Sequence, residues 1–229
     1  LWVLSEAETT EMQQLFESVD ALYIADGHHR SASSVGLEDR RIRENRSQYP
    51  NESSFLAYMI DECALQILEF NRVIHSLNGL SEDAFIQAVS ASFDVEKCAA
   101  LQRPEQEHDL TICIKGNWYK LTCKPHIIDE DHPVNSLDAE ILTQYILRPI
   151  LHIHDLKTDK NIEFIGGTTP VEKIVEWMAE GKYELAVFLY PVTIEEVKKV
   201  ADNQLIMPPK STWVEPKLRS GMTIYAINE

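Results

Sequence analysis

The chain has 229 residues, 44% hydrophobic and 25% charged, as expected of a globular protein large enough to bury a core. Its 21 basic and 37 acidic residues give a formal net charge of −16, which disfavours binding to nucleic acid or to an anionic membrane. No apolar run approaches the roughly 20 residues that span a bilayer. The N-terminus has neither a basic region ahead of an apolar core nor an initiator Met, so we expect no secretory signal and a missing N-terminal part.

The residues that most often bind metals are spaced too irregularly to predict a metal site. The four cysteines form no C-x-x-C pair and match no zinc pattern; they are Cys63, Cys98, Cys113 and Cys123. Cys113 and Cys123 fall in strand-like segments, where we expect small buried hydrophobic residues. We therefore predict no metal held by the protein's own ligands, and we expect the protein in a reducing cytoplasm.

Hydrophobic periodicity and turn residues predict short helices and strands that interleave along the chain. In chain order these are a helix (5–18), a strand (21–25), a helix (28–46), two strands (54–60 and 65–74), a helix (81–93), a hairpin (110–124), a helix (136–151), a strand (161–167), a helix (169–182), a strand (183–192), a helix (193–203), an irregular loop (207–217) and a strand (222–227).

The central hairpin argues against a doubly wound parallel sheet. The predicted fold class is α+β (mixed α/β), a mixed sheet with flanking helices. The polar segment 124–135 contains two prolines, and we place a boundary there between a part spanning 1–124 and a C-terminal part spanning 125–229. One continuous domain is the alternative.

The segment "YIADGHHRSASS" (23–34) predicts a strand, a tight turn and the start of a helix. Gly27 permits backbone angles that other residues avoid. Free N–H groups and the helix dipole favour an anion at such a helix start, and Arg30 adds a bidentate donor. We therefore predict that Gly27, Arg30 and Ser31 bind phosphate.

Three further side chains of this turn are candidates for catalysis. His28 and His29 can donate hydrogen bonds or exchange protons near neutral pH. Asp26 can orient a histidine, hold Mg²⁺ or accept a proton. The alternative is a helix cap at Asp26 with two surface histidines beside it.

A second basic cluster lies in "MPPKSTWVEPKLRSG" (207–221), which stands out in an acidic chain. Lys210, Ser211 and Thr212 follow a stiff Pro-Pro pair, and ammonium and hydroxyl groups suit phosphate oxygens. The alternative is a capped loop with solvated lysines.

Arg72 lies within the apolar run "LEFNRVI" and needs a partner, because a lone buried charge is costly. It can pair with Asp61 or Glu62, or it can join the residues predicted to bind phosphate.

Three motifs occur in an order that resembles the prokaryotic family called domain of unknown function 1015. They are "ADGHHR", "LRPILHIHDLKTDKNIEFIGG" and "IMPPKSTWVEPKLRSGMTIY", and together they extend over nearly the whole chain. The resemblance implies that this chain is the C-terminal portion of a longer protein, without the family's N-terminal region. Where the family often has Thr-His-Arg, this chain has Phe70-Asn71-Arg72, which keeps the arginine and loses the histidine.

The "DGHHR" turn is also distantly similar to the phosphate-holding turn of the ParB and sulfiredoxin superfamily, which includes free-serine kinases. This resemblance implies ATP or ADP with Mg²⁺, and a nucleotide-dependent phosphotransferase acting on a small hydroxylated metabolite such as free serine. A nucleotide- or phosphate-binding module without turnover is the alternative. A ParB-like nucleic-acid partner is disfavoured by the net charge of −16. The oligomeric state is not predicted.

Overall fold

A computed structural model describes residues 2–46, 49–219 and 221–227. Its helices are α1 (Glu6–Phe16), α2 (His28–Glu44), α3 (Glu82–Val89), α4 (Asp138–Leu142), α5 (Val171–Ala179) and α6 (Ile194–Asp202). Its strands are β1 (Gln66–Leu68), β2 (Phe70–Ile74), β3 (Phe93–Cys98), β4 (Asp109–Ile114), β5 (Asn117–Cys123), β6 (Ile162–Gly166), β7 (Leu185–Leu189) and β8 (Trp213–Glu215). Short 3₁₀ helices lie at Pro50–Ser53, Glu62–Ala64 and Pro125–Ile127, and α4 continues into a π-helical turn at Thr143–Leu147.

The chain divides into two compact units, which are described separately. Unit 1 comprises residues 1–58 and 219–229, and unit 2 comprises residues 59–218. Unit 1 contains α1, α2 and the 3₁₀ helix Pro50–Ser53, and unit 2 contains the other helices and every described strand. The boundary predicted near residue 124 lies inside unit 2 and stays a prediction.

Unit 2 contains a six-stranded sheet in the order β3-β5-β4-β7-β2-β6, and β1 pairs with β8 in a separate ribbon. The α+β class, the flanking helices and the hairpin of β4 and β5 are confirmed. All the strand pairs described are antiparallel, so the sheet is antiparallel rather than mixed. The hairpin turns at Gly116, whose φ of 89° is readily adopted only by glycine.

The core of unit 2 lies against the sheet. Phe85 of α3, Leu110 of β4 and Ile141 of α4 are fully buried, and they belong to one hydrophobic cluster. Cys113 and Cys123 are buried in β4 and β5, as predicted, and the four cysteines form no disulfide. Removal of this apolar area from water is the main favourable contribution to the folding of unit 2.

Three predicted strands are wrong. The segments 21–25, 54–60 and 222–227 have irregular backbone, although each is rich in residues that favour strands. A strand exists only when a neighbour pairs with it, and no strand is found among the described residues of unit 1. The loop predicted at 207–217 contains the short strand β8.

None of the helices described is both long and apolar enough to cross a lipid bilayer.

Candidate functional site

Arg72 lies in the middle of β2, which is the fifth of the six strands in the order of the unit 2 sheet. Its strand, β2, pairs on one side with β6, where Arg72 faces Phe164, and on the other with β7, where it faces Val187. The side chain is only 2% exposed. Its guanidinium lies over the Phe164 ring, with Cζ 5.2 Å from the ring centroid.

Two backbone carbonyl groups accept hydrogen bonds from this guanidinium. Nη1 donates to the carbonyl of Phe70, and Nη2 donates to the carbonyl of Lys210 at 3.1 Å. No carboxylate of the described residues lies within ion-pair distance of Arg72. Burial lowers the pKa of Arg72 to about 9, so the group is still charged at neutral pH. Arg72 therefore places a positive charge in the sheet without an opposite charge beside it.

The pairing of Arg72 with Asp61 or Glu62 that the sequence suggested is wrong. Asp61 instead accepts a hydrogen bond from the backbone N–H of Cys63 at 2.8 Å. Glu62 forms an ion pair with Lys198. Both carboxylates thus have partners other than Arg72.

The "MPPKST" loop (207–212) meets β2 at Lys210. Lys210 has a φ of 56°, which is uncommon for a residue with a side chain, and its carbonyl accepts the bond from Arg72. Its Nζ lies 5.5 Å from the centroid of the Phe70 ring, while the residue as a whole is exposed. Ser211 is buried, and its hydroxyl donates to the carbonyl of Pro208 at 2.8 Å. The structure therefore brings Arg72 and the basic loop together, with the Lys210 side chain on the exposed side.

Gly166 allows Trp213 to pack just after this loop. A Cβ on Gly166 would collide with a Trp213 ring carbon, and one on Gly167 would lie 2.8 Å from the Cβ of Leu68. Trp213 also contacts Phe70 edge-on, with ring centroids 5.5 Å apart. Sequence reasoning missed this close approach, because no local pattern links Gly166 to Trp213.

Asn71 stands where the family resemblance implies a histidine ahead of Arg72. It is 1% exposed, and its Oδ1 accepts a hydrogen bond from the N–H of Leu189 at 3.3 Å. Its Nδ2 donates to Glu69 at 3.4 Å. Asn71 therefore links β2 to β7 and has no proton to exchange near neutral pH.

The "DGHHR" turn lies in unit 1 and begins α2, as predicted. Gly27 has a φ of 85°, and the Asp26 carboxylate accepts a hydrogen bond from its N–H at 2.8 Å. The Arg30 guanidinium folds back over the turn. Its Nη2 would lie 3.3 Å from a Cβ placed on Gly27. His28 and His29 are exposed in the first turn of α2.

The predicted site residues therefore fall into two groups. Unit 1 holds Asp26, Gly27, His28, His29, Arg30 and Ser31, and unit 2 holds Arg72, Lys210, Ser211 and Thr212. The backbone N–H of Ser31 already donates to the carbonyl of Gly27 at 3.0 Å, which leaves fewer free donors at the start of α2. The contacts of each group are those given above.

A histidine and an aspartate that sequence reasoning missed form a second polar cluster in unit 2. The backbone N–H of His108 donates to Asp138 Oδ1 at 2.9 Å, and ring Nδ1 lies 3.2 Å from the same oxygen. This hydrogen bond raises the pKa of His108, and burial raises the pKa of Asp138. Thirty residues separate the two in sequence, so no local spacing indicates the pair. Across the described ranges, no group of three or more His, Cys, Asp and Glu side chains can hold a metal ion.

Comparison with known proteins gives one family and several solved structures. A family model described as "Protein of unknown function (DUF1015)" matches residues 1–140. No curated protein matches the chain. Free serine kinase in complex with AMP is 14% identical to this chain, with a TM-score of 0.47 over 93% of this chain and 81% of that one. A conserved hypothetical protein from Pyrococcus furiosus is 15% identical, with a TM-score of 0.47 over 93% and 84%.

Proposed function

The chain belongs to the family described as protein of unknown function (DUF1015), and because that description assigns no activity, we propose one from the residues. We propose a nucleotide-dependent phosphotransferase that acts on a small hydroxylated metabolite, with ATP or ADP as the phosphoryl donor. The observation that carries this proposal is the buried, charged Arg72 beneath the exposed Lys210, with no carboxylate of the described residues beside it.

A buried positive charge without an opposite charge costs free energy unless a ligand or partner compensates it. An anion bound at Lys210 would compensate this charge. It would contact the Lys210 ammonium group directly and would be attracted by the Arg72 guanidinium across the loop. In this proposal Lys210 contacts phosphate, and Arg72 is a positioning residue that holds the Lys210 carbonyl. Ser211 and Thr212 are assigned to the same phosphate group through their place in the loop.

Phosphoryl transfer depends mainly on positioning and on stabilising charge on phosphoryl oxygens. Arg30 and the first N–H groups of α2 are proposed to bind phosphate in unit 1, with Gly27 forming the turn. Asp26 is proposed to hold Mg²⁺ or to accept the proton of the substrate hydroxyl, with His28 as the alternative base. His29 is proposed to contact phosphate. Free serine is the first substrate to test.

No carboxylate of the described residues lies beside Arg72, and this also supports a second candidate. That candidate is a nucleotide- or phosphate-binding module without turnover. Arg72 and Lys210 provide positive charge, and Asn71 beside them has no proton to exchange near neutral pH. Such a module would bind the same ligands and leave them unchanged.

Calorimetric titration of the chain with pyrophosphate, ADP and ATP, each with and without Mg²⁺, tests the shared premise. Arg72→Met and Lys210→Ala should each weaken pyrophosphate binding by about tenfold or more, the size expected for a lost charge-assisted interaction. Arg72→Met also removes the hydrogen bonds to the Phe70 and Lys210 carbonyls, so circular dichroism is used to verify its fold before the titration. Lys173→Ala removes an exposed lysine of α5 and is the matched control.

Unchanged affinity in both Arg72→Met and Lys210→Ala would contradict the assignment in unit 2. Arg30→Ala tests unit 1 in the same way. Incubation with ATP or ADP and serine, followed by ³¹P NMR, then separates the two candidates. Phosphoserine supports the phosphotransferase, whereas binding without any product supports the module.

A further inference from the structure

Unit 1 contains a cavity of about 260 Å³ beside α2. Six of the residues that line it carry the argument: Ser34, Leu37, Arg41, Glu52, Phe55 and Tyr225. We call it the α2 cavity. It is smaller than the roughly 300–1,000 Å³ of sites for drug-sized ligands, so its volume suits a ligand of nucleoside size.

The apolar walls of the α2 cavity are incompletely covered. Leu37 is 42% exposed and Phe55 is 51% exposed, and none of the described residues of unit 1 is buried. A flat aromatic ligand would remove this apolar area from water and could stack on Phe55 or Tyr225.

Charged groups of both signs lie at the same cavity. Arg41 Nη1 lies 3.9 Å from Glu52 Oε2, and the Glu52 side chain is only 6% exposed. The buried Glu52 carboxylate can accept an N–H from a ligand in the cavity, and the Arg41 guanidinium can donate to one.

We propose that the α2 cavity binds the base of a purine nucleotide, which is adenine for the ATP or ADP proposed above. The exocyclic amino group of adenine donates to the Glu52 carboxylate. The ring nitrogens accept from the Arg41 guanidinium.

The position of the cavity along α2 links it to the phosphate-binding turn. Arg30, Ser34, Leu37 and Arg41 are spaced at i, i+4, i+7 and i+11, which places them on one face of the helix. Ser34 lies six residues after His28, which is about 9 Å along the axis. This inference rests on the proposed function, because it places the phosphates of the same nucleotide at the start of α2.

Titrations of the whole chain with adenosine and with pyrophosphate, measured separately, test the proposal. Phe55→Ala and Glu52→Gln should each weaken adenosine binding by about tenfold, while Phe55→Ala leaves pyrophosphate binding unchanged. Tyr58→Ala removes another exposed aromatic residue of unit 1 that does not line the cavity, and it should change neither. Because Phe55 is half exposed, its truncation should leave the melting temperature nearly unchanged.

Two results separate this inference from the proposed function. If pyrophosphate and ADP bind but adenosine does not bind up to about 10 mM, the α2 cavity is not a base site and the proposed function stands. The inference is also overturned if adenosine binds and neither Phe55→Ala nor Glu52→Gln changes its affinity. If adenosine binds and both variants weaken it while pyrophosphate does not bind, the α2 cavity stands and the phosphate assignment fails.

Discussion

Units 1 and 2 differ in how far they bury their apolar side chains. Unit 2 buries Phe85, Leu110 and Ile141 against a six-stranded sheet, and two strands pair with Arg72's strand. Unit 1 leaves Ile24 49% exposed and Phe55 51% exposed, and none of its described residues is buried. The comparison teaches that stability comes mainly from unit 2, whereas unit 1 offers apolar surface and polar groups to a ligand.

Truncation of one phenylalanine in each unit tests this comparison most strongly. Phe85 is 0% exposed, so Phe85→Ala should lower the free energy of unfolding by about 3–5 kcal/mol. Phe55→Ala should change it by less than about 0.5 kcal/mol, because Phe55 is already half exposed. Urea denaturation followed by Trp fluorescence measures both. Similar losses in the two variants would show that unit 1 has a core of its own.

Glycine substitutions give a smaller effect of opposite sign in the two units. A Cβ on Gly167 would lie 2.9 Å from the carbonyl oxygen of Glu69, which is backbone and cannot easily move. Gly167→Ala should therefore lower the free energy of unfolding by about 1–3 kcal/mol.

Gly36 is the matched control in unit 1. It lies within α2, where an added Cβ has no other heavy atom within 4 Å. Gly36→Ala should raise the free energy of unfolding of α2 by about 0.5–1 kcal/mol, because alanine favours helix. Circular dichroism at 222 nm during thermal unfolding measures this change, and a loss of stability would contradict the exposed placement of Gly36.

The smallest expected effect is a pH dependence confined to unit 2. The hydrogen bond to Asp138 raises the pKa of His108 above its usual 6.5, and coulombic attraction to Asp138, Glu107 and Glu196 acts in the same direction. The stability from this raised pKa is therefore fully present below about pH 6.5 and is lost as pH rises through the folded-state pKa.

His108→Asn removes this titration and tolerates the local backbone, because His108 has a φ of 69° and asparagine adopts such angles readily. The free energy of unfolding of the original chain should exceed that of His108→Asn most at about pH 6, and the difference should shrink by about pH 9. Urea denaturation at several pH values measures it. A difference that grows with pH would reverse the assigned direction.

The predictions from sequence succeeded where local chemistry decides the structure. Ser5 and Glu8 form a capping box at the start of α1, within the helix predicted at 5–18, and Gly116 turns the hairpin predicted at 110–124. The three wrong strands, at 21–25, 54–60 and 222–227, all fall in or at the edge of unit 1. An apolar run predicts that a segment can form a strand, but the partner strand is a long-range feature that composition does not reveal.

The candidate site also combines local features that the sequence predicts with long-range contacts that it does not. The "DGHHR" turn was predictable, since Gly27 and the start of α2 are local features. The proximity of Arg72 to the basic loop was an expectation without a local signal, because 138 residues separate Arg72 from Lys210. The packing of Trp213 against Gly166 depends on a close approach that only the folded chain reveals.

The two anchors of the 207–212 loop also bear on the thermodynamics of the phosphate binding proposed there. The carbonyl of Lys210 is held by Arg72, and Trp213 packs against Gly166 just after the loop. A flexible loop would lose about 1–2 kcal/mol of backbone conformational entropy per residue when a ligand ordered it. A loop that is already ordered avoids this loss, so phosphate binding there should show a small heat-capacity change and little temperature dependence of its enthalpy.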